Sequence, residues 1–209
     1  MNVLCTPAKP RRYGSAPYRQ QSTAAHWQVL AERECWAADT QAVLASGVRS
    51  VVRLSARMPA SLRSRGLADR PVGWGVAAFE AECRRLGLSL QHLGPGRGTL
   101  GPWVLWTSDN EPFLLKQAAL LVEEESVQGQ LLDLDVHGQA GPVSRALLGL
   151  SPRPCVVCGQ PAAVCTGRSI HSPSAVQAAF LDLLEHSSGF YFPGSPDGCA
   201  VGVEPPLNI

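Results

Sequence analysis

The chain has 209 residues, of which 45% are hydrophobic and 17% charged, and its formal net charge is +1. This composition fits one globular domain with a sizeable core and excludes disorder throughout. The near-neutral charge gives no strong field for nucleic acid or for a membrane surface, so we expect neither as a partner.

The start of the chain has Pro, Arg and Gln where a signal peptide would have an apolar segment. We interpret residues 1–22 as a flexible basic extension that precedes a domain over residues 23–188. No apolar run approaches the length of a membrane span. Seven cysteines without an export signal favour a reducing compartment, with the cytoplasm as the default, and metal-bound or structural thiols.

The first half of the chain alternates helical and extended patterns. Apolar spacing predicts a helix over 23–46, a strand over 48–59, a helix over 76–87 and a short strand over 88–94. The interval from 60 to 75 is basic and turn-prone. The glycine-rich stretch that follows, "GPGRGTLGPW", predicts a loop because no G-K-S/T completes a Walker motif, although phosphate cradling is an alternative.

The second half begins with a helix predicted over 108–125, whose last turn contains three consecutive glutamates. The helix macrodipole is already negative there, so the glutamates indicate either a nearby site or a solvated acidic helix end. Another helix is predicted over 174–187. We interpret residues 189–209 as a loose tail.

The segment "LLDLDVHG", residues 131–138, predicts a strand in which apolar and polar residues alternate. One face would carry Leu132, Leu134 and Val136, and the other face Asp133, Asp135 and His137. The two aspartates would then stand about 6–7 Å apart at their Cα atoms, close enough to share one hard cation. The alternative is two solvated carboxylates on an exposed edge strand.

A second cluster, C-x2-C-x6-C-x5-H, consists of Cys155, Cys158, Cys165 and His171. A C-x2-C pair holds one zinc from a tight turn, and a later Cys and His complete a tetrahedral set. Such a zinc would be structural, because four protein ligands leave no position for water. The alternative is a group of small buried thiols in a reduced core.

Three stretches, "GQLLDLDV", "SRALLGLSPRPCVVC" and "PAAVCTGRSIH", resemble the apo-citrate lyase phosphoribosyl-dephospho-CoA transferases, also called citrate lyase holo-(acyl carrier protein) synthases. That family has a G-R-L-x-D-I-D-V strand, then S-R, a proline-rich step into C-x2-C, and A-x-x-C. The pair Arg33–Glu34 matches a further family position. The resemblance covers roughly residues 26–188.

The resemblance implies an α+β fold, a single mixed α/β nucleotidyltransferase-like domain with a Cys-rich C-terminal segment over residues 155–171. It also implies transfer of the prosthetic group of 2'-(5''-triphosphoribosyl)-3'-dephospho-CoA to a serine of the citrate lyase acyl carrier protein, with release of diphosphate. Asp133 and Asp135 would bind Mg²⁺, and either could help to deprotonate the serine. Glu123 is a weaker third acidic candidate.

Four basic residues are candidates for the donor phosphates, because cationic side chains pair with phosphate oxygens. They are Arg63, Lys116, Arg145 and Arg153. Ordinary surface charge is the alternative interpretation of each.

The chain departs from the family pattern at two places. Ser126 to Gln130 replaces H-P-L-G-R, so a histidine and a basic charge are missing, and Ala60 lies in a loop that has lost a glycine and a proline. These departures leave two alternatives to the transferase. One is a non-catalytic, zinc-stabilised module that binds the carrier, and the other is the same transfer onto the malonate decarboxylase carrier protein.

Overall fold

The computed structural model describes residues 23–187. The predicted extension over 1–22 and the predicted tail over 189–209 lie outside the described residues. No helix within the described part of the chain is long and apolar enough to cross a membrane.

Helices and strands are mixed along the described chain. The helices are α1 (Thr23–Ala45), α2 (Ala60–Arg63), α3 (Asp69–Arg85), α4 (Pro112–Glu124), α5 (Ala162–Gly167) and α6 (Pro173–His186). The strands are β1 (Ser50–Ala56), β2 (Gln91–Gly98), β3 (Gly101–Ser108), β4 (Leu132–Gly138) and β5 (Gly141–Pro142). Single 3₁₀ turns, Gln128–Leu131 and Arg145–Leu148, flank the β4–β5 hairpin.

The five strands form one antiparallel sheet in the order β2-β3-β1-β4-β5. The central strand β1 pairs with β3 on one side and with β4 on the other. β5 pairs only with the last two residues of β4, so most of the outer edge of β4 has no partner strand.

The main core lies between one face of this sheet and helices α3 and α4, with α6 packed at the side. Fully buried side chains from β1, β4, β3 and α3 meet there, among them Leu54, Leu134, Trp106 and Phe79. Helix α1 covers part of the opposite face, where Leu44 packs on the β1 and β3 side chains. The polar residues of β4 are therefore on the face that α1 only partly covers.

The predicted helices over 23–46 and 174–187 and the predicted strand over 131–138 are confirmed. The helix predicted over 108–125 begins only at Pro112, because Ser108 pairs with Ser50 as the last residue of β3. The predicted loop at 94–103 is wrong, because this stretch forms the β2–β3 hairpin. Its glycines have a packing role there: a Cβ on Gly96 would lie 2.1 Å from the Trp103 ring. The interval 60–75 also differs, since it contains α2 and the first turns of α3.

Four cysteines of the described residues are free, namely Cys83, Cys155, Cys158 and Cys165. Cys35, on α1, is disulfide-bonded, which differs from the expectation that the cysteines are thiols.

Candidate functional site

Two carboxylates stand side by side on β4, as the alternation in its sequence predicts. Leu132 and Leu134 are fully buried in the core, whereas Asp133 is half-buried and Asp135 is exposed on the opposite face. The interpretation of residues 131–138 as an amphipathic strand is thus confirmed. This face of β4 presents two acidic groups to any ligand that approaches the sheet.

The two carboxylates are in electrostatic conflict. Partial desolvation by the surrounding protein, together with the negative charge of Asp133, raises the pKa of Asp135 to about 6. Asp135 keeps contact with solvent, so ionising it costs less free energy than ionising a fully buried carboxyl group would. A divalent cation between the carboxylates would remove this repulsion.

Arg53, on β1, lies directly opposite Asp135 in the antiparallel register. The residue is only 4% exposed, and its guanidinium packs on the rings of both Trp36 and Trp103, at 4.5 and 4.9 Å from their centroids. Its Nη2 donates to the Trp36 carbonyl at 3.4 Å, and its Nη1 has no hydrogen-bond partner among the described residues. Burial lowers the pKa of Arg53 to about 10, an effect that the charges of Asp39 and Asp135 oppose.

Side chains of α4 bind the free edge of β4. Lys116 is 6% exposed, and its Nζ donates to the Leu134 carbonyl at 2.7 Å. Glu123 is 4% exposed, and its Oε1 accepts the Leu134 N–H at 2.7 Å. The two residues are seven apart on one face of the helix. Together they satisfy the backbone N–H and carbonyl of Leu134, which pairs with β1 on one side and has no partner strand on the outer side.

Arg153 connects this edge with the aspartates. Its Nη1 donates to the Leu132 carbonyl at 2.7 Å, and its Nη2 forms an ion pair with Glu123 and lies 3.7 Å from Asp133 Oδ1. Arg57 is close by, because Arg153 and Asp133 are among the charges that act on it. Burial, reinforced by the charge of Arg153, lowers the pKa of Arg57.

The other predicted phosphate residues lie elsewhere. Arg145 pairs with Glu124 and donates to the Ser151 carbonyl. Arg63 lies beside Gly101 at the start of β3, its Nε is buried without a hydrogen-bond partner, and burial followed by the charge of Arg33 lowers its pKa. Among the described residues no hydrogen bond or ion pair joins Arg63, Lys116 or Arg145 to the two aspartates.

Arg53 and Arg57 are not among the site residues predicted from the sequence. The sequence does contain a pattern that indicates a polar strand face. In "SVVRLSARM" the polar residues Arg53, Ser55 and Arg57 recur at every second position. The register then places Ser55 opposite Asp133 and Arg53 opposite Asp135. Only the pairing of β1 with β4 brings these residues to the acidic face.

One departure from the family pattern, at residues 126–130, lies in the turn directly before β4. Ser126 Oγ accepts the Gly129 N–H at 3.0 Å, so this chain closes the turn before β4 with a serine where the family has a histidine. Ala60 begins the short helix α2.

The second cluster is compact. The Sγ atoms of Cys155, Cys158 and Cys165 and one ring nitrogen of His171 all lie within 4.8 Å of one another. Cys158 Sγ is 3.6 Å from Cys165 Sγ and 3.2 Å from His171 Nε2. Sulfur atoms bound to one tetrahedral zinc at 2.3 Å are about 3.8 Å apart, so the four side chains fit such an ion.

Backbone geometry supports this cluster. The Cys155 N–H donates to the Gln160 carbonyl at 2.6 Å, and Gly159 turns the chain with φ +74° directly after Cys158. The two cysteines of the C-x2-C pair are thereby held on one side of a tight turn. The cluster can therefore hold a metal such as zinc, whereas the described acidic residues provide no comparable group of three converging ligands.

Residues 25–187 match the profile of one protein family, described as apo-citrate lyase phosphoribosyl-dephospho-CoA transferase. A relative of that name from Citrobacter koseri is 26% identical over 148 residues, which are 70% of this chain and 81% of the relative. Another, from Escherichia coli O139:H28, is 29% identical over 114 residues, or 54% of this chain and 62% of the relative.

The match to a Streptococcus pyogenes serotype M18 protein, named a probable enzyme of the same kind, is shorter. It is 38% identical over 74 residues, which are 34% of this chain and 38% of that relative's length. The family match confirms the resemblance that the sequence motifs carry.

Proposed function

The chain belongs to the apo-citrate lyase phosphoribosyl-dephospho-CoA transferase family, and we propose that it attaches this prosthetic group to the acyl carrier protein subunit of citrate lyase. The donor is 2'-(5''-triphosphoribosyl)-3'-dephospho-CoA and the acceptor is a serine hydroxyl of the carrier. The observation that carries the proposal is the pair of carboxylates, Asp133 and Asp135, on one face of β4 in a chain that matches the family over residues 25–187.

The reaction is a nucleotidyltransferase-like displacement at phosphorus. The serine oxygen forms a bond to the first phosphorus of the triphosphate, the bond to the following bridging oxygen breaks, and diphosphate leaves. Asp133 or Asp135 accepts the serine proton. A base of this kind must be ionised, and the raised pKa of Asp135 brings its proton affinity closer to neutral pH than that of an ordinary carboxyl group.

Mg²⁺ belongs to this proposal because the donor set suits it. Two carboxylates that repel each other on one strand face are hard oxygen ligands for a cation of this type. Glu123 stays a third candidate through its Oε2, which is buried without a hydrogen-bond partner, whereas its Oε1 is occupied by Leu134 and Arg153. When bound, the ion would neutralise charge on the phosphate oxygens.

In this proposal the donor phosphates are bound by Arg153 and Arg57, beside Asp133. Arg153 is 3.7 Å from Asp133, and Arg57 is close to both. Guanidinium groups hold phosphate oxygens with paired donors, so these two residues suit the leaving diphosphate. Arg63, Arg145 and Lys116 are weaker candidates, because among the described residues no hydrogen bond or ion pair joins them to Asp133 or Asp135.

A structural zinc completes the proposal. Cys155, Cys158, Cys165 and His171 form a closed set of four ligands, which leaves no position for a reacting water. The free thiols of this set suit a reducing compartment such as the cytoplasm, whereas the Cys35 disulfide is typical of an oxidising one.

The test is intact-mass analysis of purified apo-carrier after incubation with this protein, the triphosphoribosyl donor and Mg²⁺. The expected result is a mass gain equal to the donor minus diphosphate, which is lost with Asp133→Ala. That variant should keep its fold, because Asp133 is a half-exposed surface residue. Asp109→Ala, an exposed residue at the far end of β3, is the matched control and should keep full activity.

Two other outcomes would assign a different function. A complex with the carrier but no mass gain, alongside a competent control enzyme, would make the protein a zinc-stabilised binding module and would point to the departures at Ser126, Gln130 and Ala60. A mass gain on the malonate decarboxylase carrier alone would keep the chemistry and change the acceptor.

A further inference from the structure

The Cys/His cluster is joined to the acidic face by the residue that lies two positions before it. Arg153 reaches the Leu132 carbonyl, Glu123 and Asp133, while its own carbonyl accepts the Ala162 N–H at 2.9 Å. The side chain of Arg153 thus belongs to the β4 edge, and its backbone belongs to the segment that carries the cysteines.

Further contacts fasten the same junction. Arg57 Nη2 donates to the Pro154 carbonyl at 3.0 Å, and Pro154 forms an isolated β-bridge with Pro161. This bridge lies next to the turn between Cys155 and Gln160. Arg57 and Arg153 therefore both make contacts at the start of the segment that carries the Cys/His cluster.

The segment has little else to keep it in place. Between residues 151 and 171 only Cys165 is buried, Val156 is partly buried against the main core, and Val157, Val164 and Ile170 are exposed. A segment that buries so little apolar surface cannot offset the entropy of ordering its backbone by packing. Metal binding couples directly to local folding in small Cys/His units, and it can offset this entropy cost.

We infer that a metal bound by the Cys/His cluster positions Arg153 at the acidic face: it holds the segment whose first residues place Arg153 beside Asp133. The metal touches no substrate. Its effect on transfer rests on the proposed function, whereas its effect on the position of Arg153 does not.

The first experiment measures the metal and the backbone. Purified wild-type protein is expected to contain about one zinc ion per chain, and Cys158→Ser to lose it. Hydrogen–deuterium exchange of peptides covering 153–165 should accelerate by about a hundredfold in Cys158→Ser, because the Cys155 and Ala162 amides lose their partners, while peptides from β1 and β3 stay protected. The matched control is Cys83→Ala, a buried cysteine of α3 outside the cluster, which should keep both zinc and protection.

The second experiment measures coupling to Arg153 with inorganic diphosphate and Mg²⁺ as the probe, by calorimetry. We expect Arg153→Ala to weaken diphosphate binding by about tenfold. Cys158→Ser should weaken it by a similar factor, and the double variant should show no additional loss, because both changes remove the same interaction. The variant that combines Cys83→Ala with Arg153→Ala should bind diphosphate no more weakly than Arg153→Ala alone.

These measurements separate the inference from the proposed function. Additive losses in the Cys158/Arg153 cycle, or unchanged exchange over 153–165 in a zinc-free variant, would overturn the positioning role. A wild-type protein that loses protection on zinc removal but does not bind diphosphate would contradict the proposed phosphate site and leave the fastening of the segment supported.

Discussion

Arg53 and Asp135 are cross-strand partners on β1 and β4, yet the arginine is buried against two tryptophans while the aspartate is exposed. On this face Leu44 and Trp36 of α1 pack on β1 and β3 side chains, and α1 contacts the β4–β5 turn through the hydrogen bond from Gln139 to the Leu44 carbonyl. The sheet therefore changes along one face from a packed surface under α1 to an open acidic surface at its edge.

The first prediction concerns the buried guanidinium of Arg53. Arg53→Met should change the free energy of unfolding by less than about 1.5 kcal/mol, because an apolar side chain of similar length fills the space and relieves the desolvation of a buried charge. Arg53→Ala should cost about 3 kcal/mol through the cavity left between Trp36 and Trp103. Urea denaturation of both variants measures the difference, and equal losses would contradict the account.

The second prediction separates two roles of Glu123. Glu123→Gln keeps an oxygen for the Leu134 N–H and should cost about 1 kcal/mol. Glu123→Ala leaves that N–H and the Arg153 guanidinium without their partner and should cost about 3 kcal/mol.

The measurement is thermal and urea unfolding, accompanied by Mg²⁺ titration. If Glu123 mainly holds the strand edge, Mg²⁺ affinity should fall in parallel with stability across the two variants. A large loss of Mg²⁺ affinity in the stable Glu123→Gln variant would instead identify Glu123 as a direct metal ligand.

The third prediction uses two glycines of α3 that differ only in what faces them. A Cβ on Gly73 would meet nothing within 4 Å, so Gly73→Ala should stabilise the protein by about 1 kcal/mol through helix propensity. A Cβ on Gly75 would lie 2.9 Å from both Leu132 methyl groups and 3.0 Å from Leu54.

Gly75→Ala should therefore be less stable than Gly73→Ala by about 2 kcal/mol, because the helix or the core leucines must move. Since Leu132 lies next to Asp133, Gly75→Ala should also reduce transfer more than Gly73→Ala does. Chemical denaturation and the carrier mass assay test the two statements, and equal stability of the variants would contradict the close packing.

The fourth prediction concerns thiol reactivity. Burial raises the pKa of Cys83 to about 12, so in the native protein at pH 8 it is protonated as well as inaccessible and should resist N-ethylmaleimide. Cys155, Cys158 and Cys165 should be protected by zinc and become reactive together when a chelator removes it.

Peptide mapping by mass spectrometry resolves each cysteine. Guanidinium chloride, which unfolds the core, should expose Cys83 under conditions in which the chelator alone does not. Rapid labelling of all three cluster cysteines in untreated zinc-containing protein would show that they do not bind the metal.

Much of the acidic face could be predicted from the chain alone. The period of two in β4 assigns Asp133 and Asp135 to one face and Leu132 and Leu134 to the core, because successive side chains of a strand point to opposite sides. The spacing of the Cys/His cluster is similarly local, and a tight turn brings its C-x2-C pair together. Local geometry determines both features, so no knowledge of distant contacts is needed.

Other features depended on contacts between distant segments. The glycine-rich stretch at 94–103 has a loop composition, yet it pairs as a hairpin because Gly96 leaves room for the Trp103 ring. Lys116 is of a residue type that binds phosphate, but its Nζ donates to the Leu134 carbonyl at the edge of β4.

By itself, the sequence determined which residues are acidic, which alternate and which can bind a metal as a group. Tertiary structure alone decided that Arg53 is buried opposite Asp135, that Glu123 is bound to Leu134 and Arg153, and that the cysteine segment begins beside Asp133. The physical reason is that a side chain meets its partner through the packing of α1, α4 and β1 on β4, and these contacts join residues far apart in the chain.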